Sequence, residues 1–148
     1  MLKIIHPVVG TIALLTILTF WLSTIFAELF GSEALIVSVK TDIPWGFLLL
    51  IPALMTAGST GFVLSQGDRA GVIGAKLKRM PYIAANGLLV LIPCALFLAS
   101  KARAGDFGTA FYAVQTIELL AGATNITLLG LNMRDGLRLK GRLRRAAA

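Results

Sequence analysis

The residues that could do chemistry in this sequence are few, and most lie in its last long apolar segment. Glu118 is an acid within an apolar run from about 109 to 131. Spacings of three, four, three and seven residues place one set of polar and small residues on a single helix face: Gln115, Glu118, Gly122, Asn125 and Asn132. Inside a membrane, Glu118 could relay a proton, hold a cation, contact a cofactor or only bind a neighbouring helix. Lys40 and Lys101 are its candidate partners.

His6 is the second candidate, because it is the only histidine in the chain. Pro7 suits the first turn of a helix, so His6 should lie at the start of the first helix, near the membrane interface. Asn86 and Asn132 should reach a similar depth, which predicts a polar layer where His6 binds the backbone or Asn132. One histidine and one cysteine, Cys94, cannot build an ordinary transition-metal site, and no catalytic motif is present. We therefore predict no catalytic residue.

The elements that position these residues are membrane-spanning helices. The chain is 57% hydrophobic and 14% charged, whereas soluble domains carry about 25% charged residues. Segments of about 20 apolar residues can span a bilayer as helices, and four segments qualify: 5–30, 45–65, 82–100 and 109–131. Short connections favour antiparallel neighbours, so the sequence predicts an all-α, integral membrane, up-down four-helix bundle. The connection at 31–44 is expected to lie on the membrane surface or to cap the bundle.

Basic residues predict the orientation of this bundle. Eleven of the 14 lysines and arginines lie at the two chain ends and in the 66–81 connection, and the other three are Lys40, Lys101 and Arg103. The positive-inside rule then places both ends in the cytoplasm, here of a bacterial inner membrane. We predict a transmembrane domain at 1–133 and a basic tail at 134–148 that binds anionic headgroups. Because topology explains the net charge of +7, nucleic acid is not an expected partner.

A resemblance concerns the start of the first helix. The run His6-Pro7-Val8-Val9-Gly10 resembles the His-Pro start of a haem-bearing helix in cytochrome b561-type proteins, helical bundles that pass electrons across membranes through b-haems. The resemblance implies haem b as a cofactor with His6 as a ligand. Those proteins use paired histidines, so here the second ligand would be a methionine (Met55, Met80 or Met133), a second chain's histidine, or none. The layout is also similar to uncharacterised bacterial four-span proteins, which implies no function.

Three functions are compatible with these features of the sequence. The first, favoured by the small size and short connections, is a non-enzymatic subunit or accessory protein of a larger membrane complex, such as a respiratory or other electron-transfer complex. Its partners would be other membrane subunits or further copies of the chain. The second is a b-haem electron-transfer protein using His6. The third is proton-coupled or small-solute transport centred on Glu118, which four spans could support only as an oligomer.

Overall fold

Four long helices make up the fold. The computed structural model describes residues 1–65 and 71–146, with the side chains of residue 140 and of 142–146 left out. The elements are α1 (Leu2–Phe30), α2 (Glu33–Ser65), α3 (Gly71–Asn86), a π-helical turn (Gly87–Leu91), α4 (Ile92–Arg103) and α5 (Thr109–Ala146). The segment from α3 to α4 is one continuous span, and each of the four long helices is apolar enough to cross a membrane. The predicted all-α four-helix bundle is confirmed.

The predicted connection at 31–44 is wrong, because α2 already begins at Glu33. Only Gly31 and Ser32 separate α1 from α2, and the Ser32 carbonyl accepts the amide of Leu35 at 2.9 Å. The prediction treated Pro44 as a boundary, but this proline lies inside the helix. Ile36 is buried against α1, α4 and α5, so tertiary packing holds the segment in the helix. Likewise, α3 begins at Gly71 and contains Pro81, so most of the predicted 66–81 connection is helical.

The four spans form a closed ring of neighbours. Helix α1 packs against α2 and α5, α2 packs against α4, and α3 and α4 pack against α5. Two glycines allow close approach to α1: a methyl group at Gly46 would overlap the ring of Phe20, and one at Gly122 would lie 2.9 Å from Cδ1 of Trp21. We call the end with Gly31–Ser32 and 104–108 the short-loop end. The end with Met1 and the C-terminal part of α5 is the terminal end.

Helix α5 is the longest element and continues through the predicted tail. It runs without interruption from Thr109 to Ala146, so no helix end marks the predicted division between 1–133 and 134–148. Residues 147–148 lie outside the described part of the chain. The division into a membrane domain and a tail stays a prediction.

Candidate functional site

An ion pair lies inside the bundle and joins α2 to α5. Lys40 Nζ lies 2.5 Å from Glu118 Oε2, and the two side chains are only 2% and 12% exposed. The same ammonium group also donates to the hydroxyl of Thr24 on α1 at 3.4 Å. Lys40 and Glu118 lie seven and nine residues from the short-loop ends of their helices, about 10 and 14 Å deep at 1.5 Å per residue. An unpaired charge at this depth would be costly, and the pairing removes most of that cost.

Lys40 reaches Glu118 only because its segment is helical. Spacings of four and three place Ile36, Lys40 and Ile43 on one face of α2, and all three are buried. The lysine therefore points into the bundle from the same side as its apolar neighbours. Lys101, the other candidate partner of Glu118, instead binds Asp106 at 2.6 Å near the short-loop end.

A second acid, Glu28 of α1, belongs to this group, and the sequence analysis missed it. Its Oε1 is buried without a hydrogen-bond partner among the described residues, and the charges of both Lys40 and Glu118 act on it. Glu28 lies four residues after Thr24, so the two share a helix face. The signal was available, since Glu28 is the one acid in the first apolar segment. We call Glu28, Lys40 and Glu118 the charged centre.

Gln115 lies one turn from Glu118 toward the short-loop end. Its side chain is 4% exposed, and neither amide atom has a hydrogen-bond partner in the described part of the chain. Buried polar groups are nearly always satisfied by protein or by ordered water. The Gln115 amide therefore marks a place where a group other than a described side chain should bind.

Two asparagines of the predicted site form a pair between α3 and α5. Asn86 Nδ2 donates to Asn125 Oδ1 at 2.9 Å and to the Ala121 carbonyl at 2.8 Å. Asn125 is 1% exposed, and its own amide donates to the Ile83 carbonyl at 3.4 Å. The π-helical turn starts directly after Asn86, at Gly87. This pair is internally satisfied and fastens the third span to the fourth.

Asn132 belongs to a different group, at the terminal end. Its Oδ1 accepts from Arg79 at 3.3 Å, and the same guanidinium lies 2.7 Å from Asp135. Arg134 also binds Asp135, at 3.2 Å. We call Arg79, Asn132, Arg134 and Asp135 the terminal cluster. Asp135 extends the polar face of α5 by three further residues, which the sequence analysis did not follow.

The predicted polar layer of His6, Asn86 and Asn132 does not form one hydrogen-bonded group, although His6 does bind the backbone, which was one of its two predicted contacts. His6 Nδ1 lies 3.1 Å from the Ala57 carbonyl and from the Thr60 hydroxyl. Asn86 binds Asn125 and Asn132 binds Arg79, so the two asparagines lie in separate groups. The reason is that α3 begins earlier than predicted, which brings Arg79 to Asn132.

The contacts of His6 define its tautomer. A carbonyl oxygen only accepts, so Nδ1 must carry the hydrogen that the Ala57 carbonyl receives. The Thr60 hydroxyl donates to the Thr56 carbonyl at 2.5 Å and is therefore free to accept from His6 as well. In the neutral ring the lone pair then lies on Nε2, which is the atom that can bind a metal.

The surroundings of His6 do not fit a haem inside this one chain. A methyl group at Gly61 would lie 3.0 Å from His6 Cε1 and 3.6 Å from Met80 Cε, so both side chains pack on the same spot of α2. Axial ligands must instead face each other across a flat ring. Met55 and Met133 are 70% and 42% exposed on the outer surface. A haem on His6 would therefore need a surface shared with another chain.

A small cavity adjoins the charged centre on its terminal-end side. Its volume is about 50 Å³, and Glu118 and Thr24 are the polar residues among apolar walls that include Phe20, Phe47 and Leu91. Sites for small organic molecules usually enclose about 300–1,000 Å³. The cavity is therefore too small for most solutes, whereas a proton needs no cavity.

Comparisons with known proteins return nothing for this chain. No protein-family model, curated protein or solved structure matches it.

Proposed function

We propose that this chain is a small, non-enzymatic integral membrane subunit of a larger membrane assembly, and that its charged centre holds and exchanges one proton. The observation that carries the proposal is the buried ion pair of Lys40 and Glu118, with Glu28 close enough for its charge to be felt. One lysine is thus in contact with one carboxyl group and within electrostatic range of a second.

The charge balance of the centre favours a proton as its ligand. With all three groups ionised, the centre carries one net negative charge in a low-dielectric interior, which is unfavourable. A metal cation would need several converging oxygen ligands. Among the described residues, no three histidine, cysteine, aspartate or glutamate side chains converge. One added proton neutralises the centre, and Lys40 still keeps one carboxylate as its partner.

The shared lysine also makes the proton exchangeable. When Glu118 is protonated, Glu28 balances the charge of Lys40. When Glu118 releases its proton, it pairs directly with Lys40, as in the observed 2.5 Å contact. Each state gives the buried ammonium group a counter-charge, in direct contact in one state and at longer range in the other.

The outer face of α5 supports the role as a subunit. The exposed side chains along it include four small or hydroxylated ones, Ala113, Thr116, Thr124 and Thr127, beside the large apolar Ile117 and Leu120. The threonine hydroxyls donate to carbonyls of their own helix at 2.8–2.9 Å, so they need no polar partner from outside the helix. The span is also the least apolar, with a mean hydropathy of 1.2 against 1.9–2.1 for the others. Such a face suits another helix better than lipid.

The orientation is part of the proposal. With Lys40 inside the bundle, Lys101 and Arg103 are the basic residues left for the short-loop end, against eleven elsewhere. By the positive-inside rule, the terminal end faces the cytoplasm, here of a bacterial inner membrane. The basic residues of the predicted tail would then contact anionic headgroups.

Infrared titration of the purified protein tests the proton. A carbonyl-stretch band of a protonated carboxyl group should grow as the pH falls, and Glu118→Gln should abolish or shift it. The control variant Asp106→Asn changes an exposed acid outside the spans and should leave this band unchanged. A band that survives unchanged in both Glu118→Gln and Glu28→Gln would overturn the proposal.

Native gel electrophoresis of mildly solubilised membranes tests the role as a subunit. The chain should migrate in an assembly larger than its own 15.7 kDa with bound detergent. Thr124→Trp on the outer face of α5 should release it, whereas Leu22→Trp on the lipid-facing side of α1 should not. Migration as a single chain before any substitution, or equal behaviour of the two variants, would contradict the role.

A second candidate function, b-haem binding through His6, is favoured by one observation. The hydrogen bond from Nδ1 to the Ala57 carbonyl leaves Nε2 able to ligate, and this backbone contact is a common support for ligating histidines. A Soret absorption band in the assembled protein that is lost in His6→Ala would support it. A colourless assembly would exclude it.

A further inference from the structure

We infer that the charged centre exchanges its proton with one side of the membrane only, through a hydrated passage that opens at the short-loop end between α1 and α5. The inference rests on the proposed function and adds a direction to it. Its elements are Glu28, Gln115 and Glu118.

The polar side chains form a graded column from the short-loop end inward. Glu28 lies two residues from the end of α1, about 3 Å deep, and Gln115 lies six residues into α5, about 9 Å deep. Glu118 is the deepest, at about 14 Å. Lys40 on α2 and Cys94 on α4 are the other titratable groups whose interactions link them to this column.

Unpartnered atoms concentrate in this column. Among the described residues, four buried side-chain polar atoms have no hydrogen-bond partner, and three of them belong to Glu28 and Gln115. Buried waters typically satisfy groups of this kind and need two to four polar partners each. The Gln115 amide, Glu28 Oε1 and the carboxyl group of Glu118 together supply such partners. Ordered water is therefore the ligand that this column fits.

The opposite side of Glu118 is a barrier. Apart from Glu118 and Thr24, the cavity there is walled by apolar side chains such as Phe20, Phe47 and Leu50, which give water no hydrogen-bond partner on the way to the terminal end. The next polar groups toward the terminal end are Asn86 and Asn125, which satisfy each other. The fourth unpartnered atom, Nδ2 of Asn132, lies beyond them in the terminal cluster.

The exchange itself is a simple proton transfer. A hydronium ion entering at Glu28 gives one proton to the Glu118 carboxylate and remains as water. The reverse step returns the proton to the same side. No electron is transferred, and no covalent bond other than O–H changes.

Cysteine accessibility tests the direction. Cys94→Ala gives a cysteine-free chain, into which Gln115→Cys or Leu50→Cys is introduced, the second on the apolar side of Glu118. Vesicles are treated with a membrane-impermeant methanethiosulfonate reagent. Exposed Ala104→Cys and Arg138→Cys report which end faces outward, and a preparation in which these two differ in labelling is used.

Gln115→Cys should be labelled to the same extent as Ala104→Cys. It should react at least about tenfold faster than Leu50→Cys, because the reactive thiolate forms only where water reaches it. If Gln115→Cys does not fold, Glu118→Cys, one turn deeper in the same column, replaces it with the same expectation.

Other labelling patterns would overturn the inference. In the first, Gln115→Cys is not labelled from either side of the membrane. In the second, Gln115→Cys is labelled from the side that labels Arg138→Cys. In the third, Leu50→Cys is labelled as fast as Gln115→Cys. The proposed function fails separately, when the infrared band does not depend on Glu118. An infrared band that depends on Glu118, together with an unlabelled Gln115→Cys, would therefore contradict only the one-sided passage.

Discussion

Two ion pairs fasten α5 to the bundle, one in each half, and they are built in opposite ways. In the charged centre, one cation, Lys40, contacts Glu118, acts on the second acid Glu28 at longer range, and is 2% exposed. In the terminal cluster, one acid, Asp135, serves two cations, and its partner Arg79 is 24% exposed. The first group has surplus negative charge in the interior, and the second has surplus positive charge near an end of the bundle.

The difference shows how depth decides what an ion pair can do. Arginines near the end of a span can extend their guanidinium groups toward water and headgroups, so a surplus cation is inexpensive there. Glu118, at about 14 Å depth, has no such exit, so the surplus negative charge of the charged centre favours binding a proton there. The terminal cluster therefore acts as a fastening, whereas the charged centre can also change its protonation.

The largest effect is expected from breaking the charged centre on its basic side. Lys40→Met leaves the buried carboxyl group of Glu118 without its cation and should lower the free energy of unfolding by about 3–5 kcal/mol. The double variant Lys40→Met/Glu118→Gln should recover part of this loss, because the uncompensated acid is gone. Unfolding in mixed micelles followed by circular dichroism measures both. Strictly additive losses would show that the pair is not coupled.

Removing the shared acid of the terminal cluster should have a smaller effect. Asp135→Asn removes the anionic acceptor that Arg79 and Arg134 share, leaves them one neutral amide oxygen, and should cost about 1.5–3 kcal/mol. The matched variant Arg134→Gln removes only the half-exposed partner and should cost less than about 1 kcal/mol. The same unfolding measurement applies. A loss for Asp135→Asn as large as that for Lys40→Met would erase the contrast between the two groups.

The neutral asparagine pair lies between the two ion pairs and provides a reference. Asn125→Leu removes one interhelical hydrogen bond to Asn86 and should cost about 1 kcal/mol, as is typical inside membranes. Its value should not depend on pH, since no ionisable group is involved. A pH-dependent loss would mean that the charged centre extends as far as this pair.

The smallest effect is expected at the exposed pair of Lys101 and Asp106. The hydrogen bond from Lys101 holds the pKa of Asp106 below its ordinary value of 3.8. A lowered carboxyl pKa in the folded state adds stability above the unfolded value and loses it as the pH falls through the folded value. Lys101→Met should raise the pKa of Asp106, visible by NMR of its carboxyl carbon. The unfolding curve should hardly change, because solvent screens this pair.

Much of the fold could be predicted because the hydropathy of a segment depends only on the residues within that segment. Four apolar segments and short connections are enough for four antiparallel spans, and the structure contains them. Helix bounds were less predictable, since Pro44 and Pro81 suggested boundaries where the structure has helix interior. In both cases side-chain packing and the remaining backbone hydrogen bonds of the helix outweigh the free-energy cost of a proline inside it.

The candidate site divides in the same way. The phase of the polar residues on α5 follows from the 3.6-residue period, and the structure places Gln115, Asn125 and Asn132 in the interior. The partner of each residue depends on the rotation and depth of the facing helix, which no local pattern contains. For this reason His6 contacts Ala57 rather than Asn132, and Asn132 contacts Arg79.

The sequence by itself determined that the chain spans a membrane four times and that α5 carries polar groups on one face. Both properties depend on the composition and period of single segments. Only the tertiary structure decided that Lys40 and Glu118 meet and that Glu28 lies beside them. These three groups come from three helices, and their distances depend on how glycines such as Gly46 and Gly122 let α1 approach its neighbours.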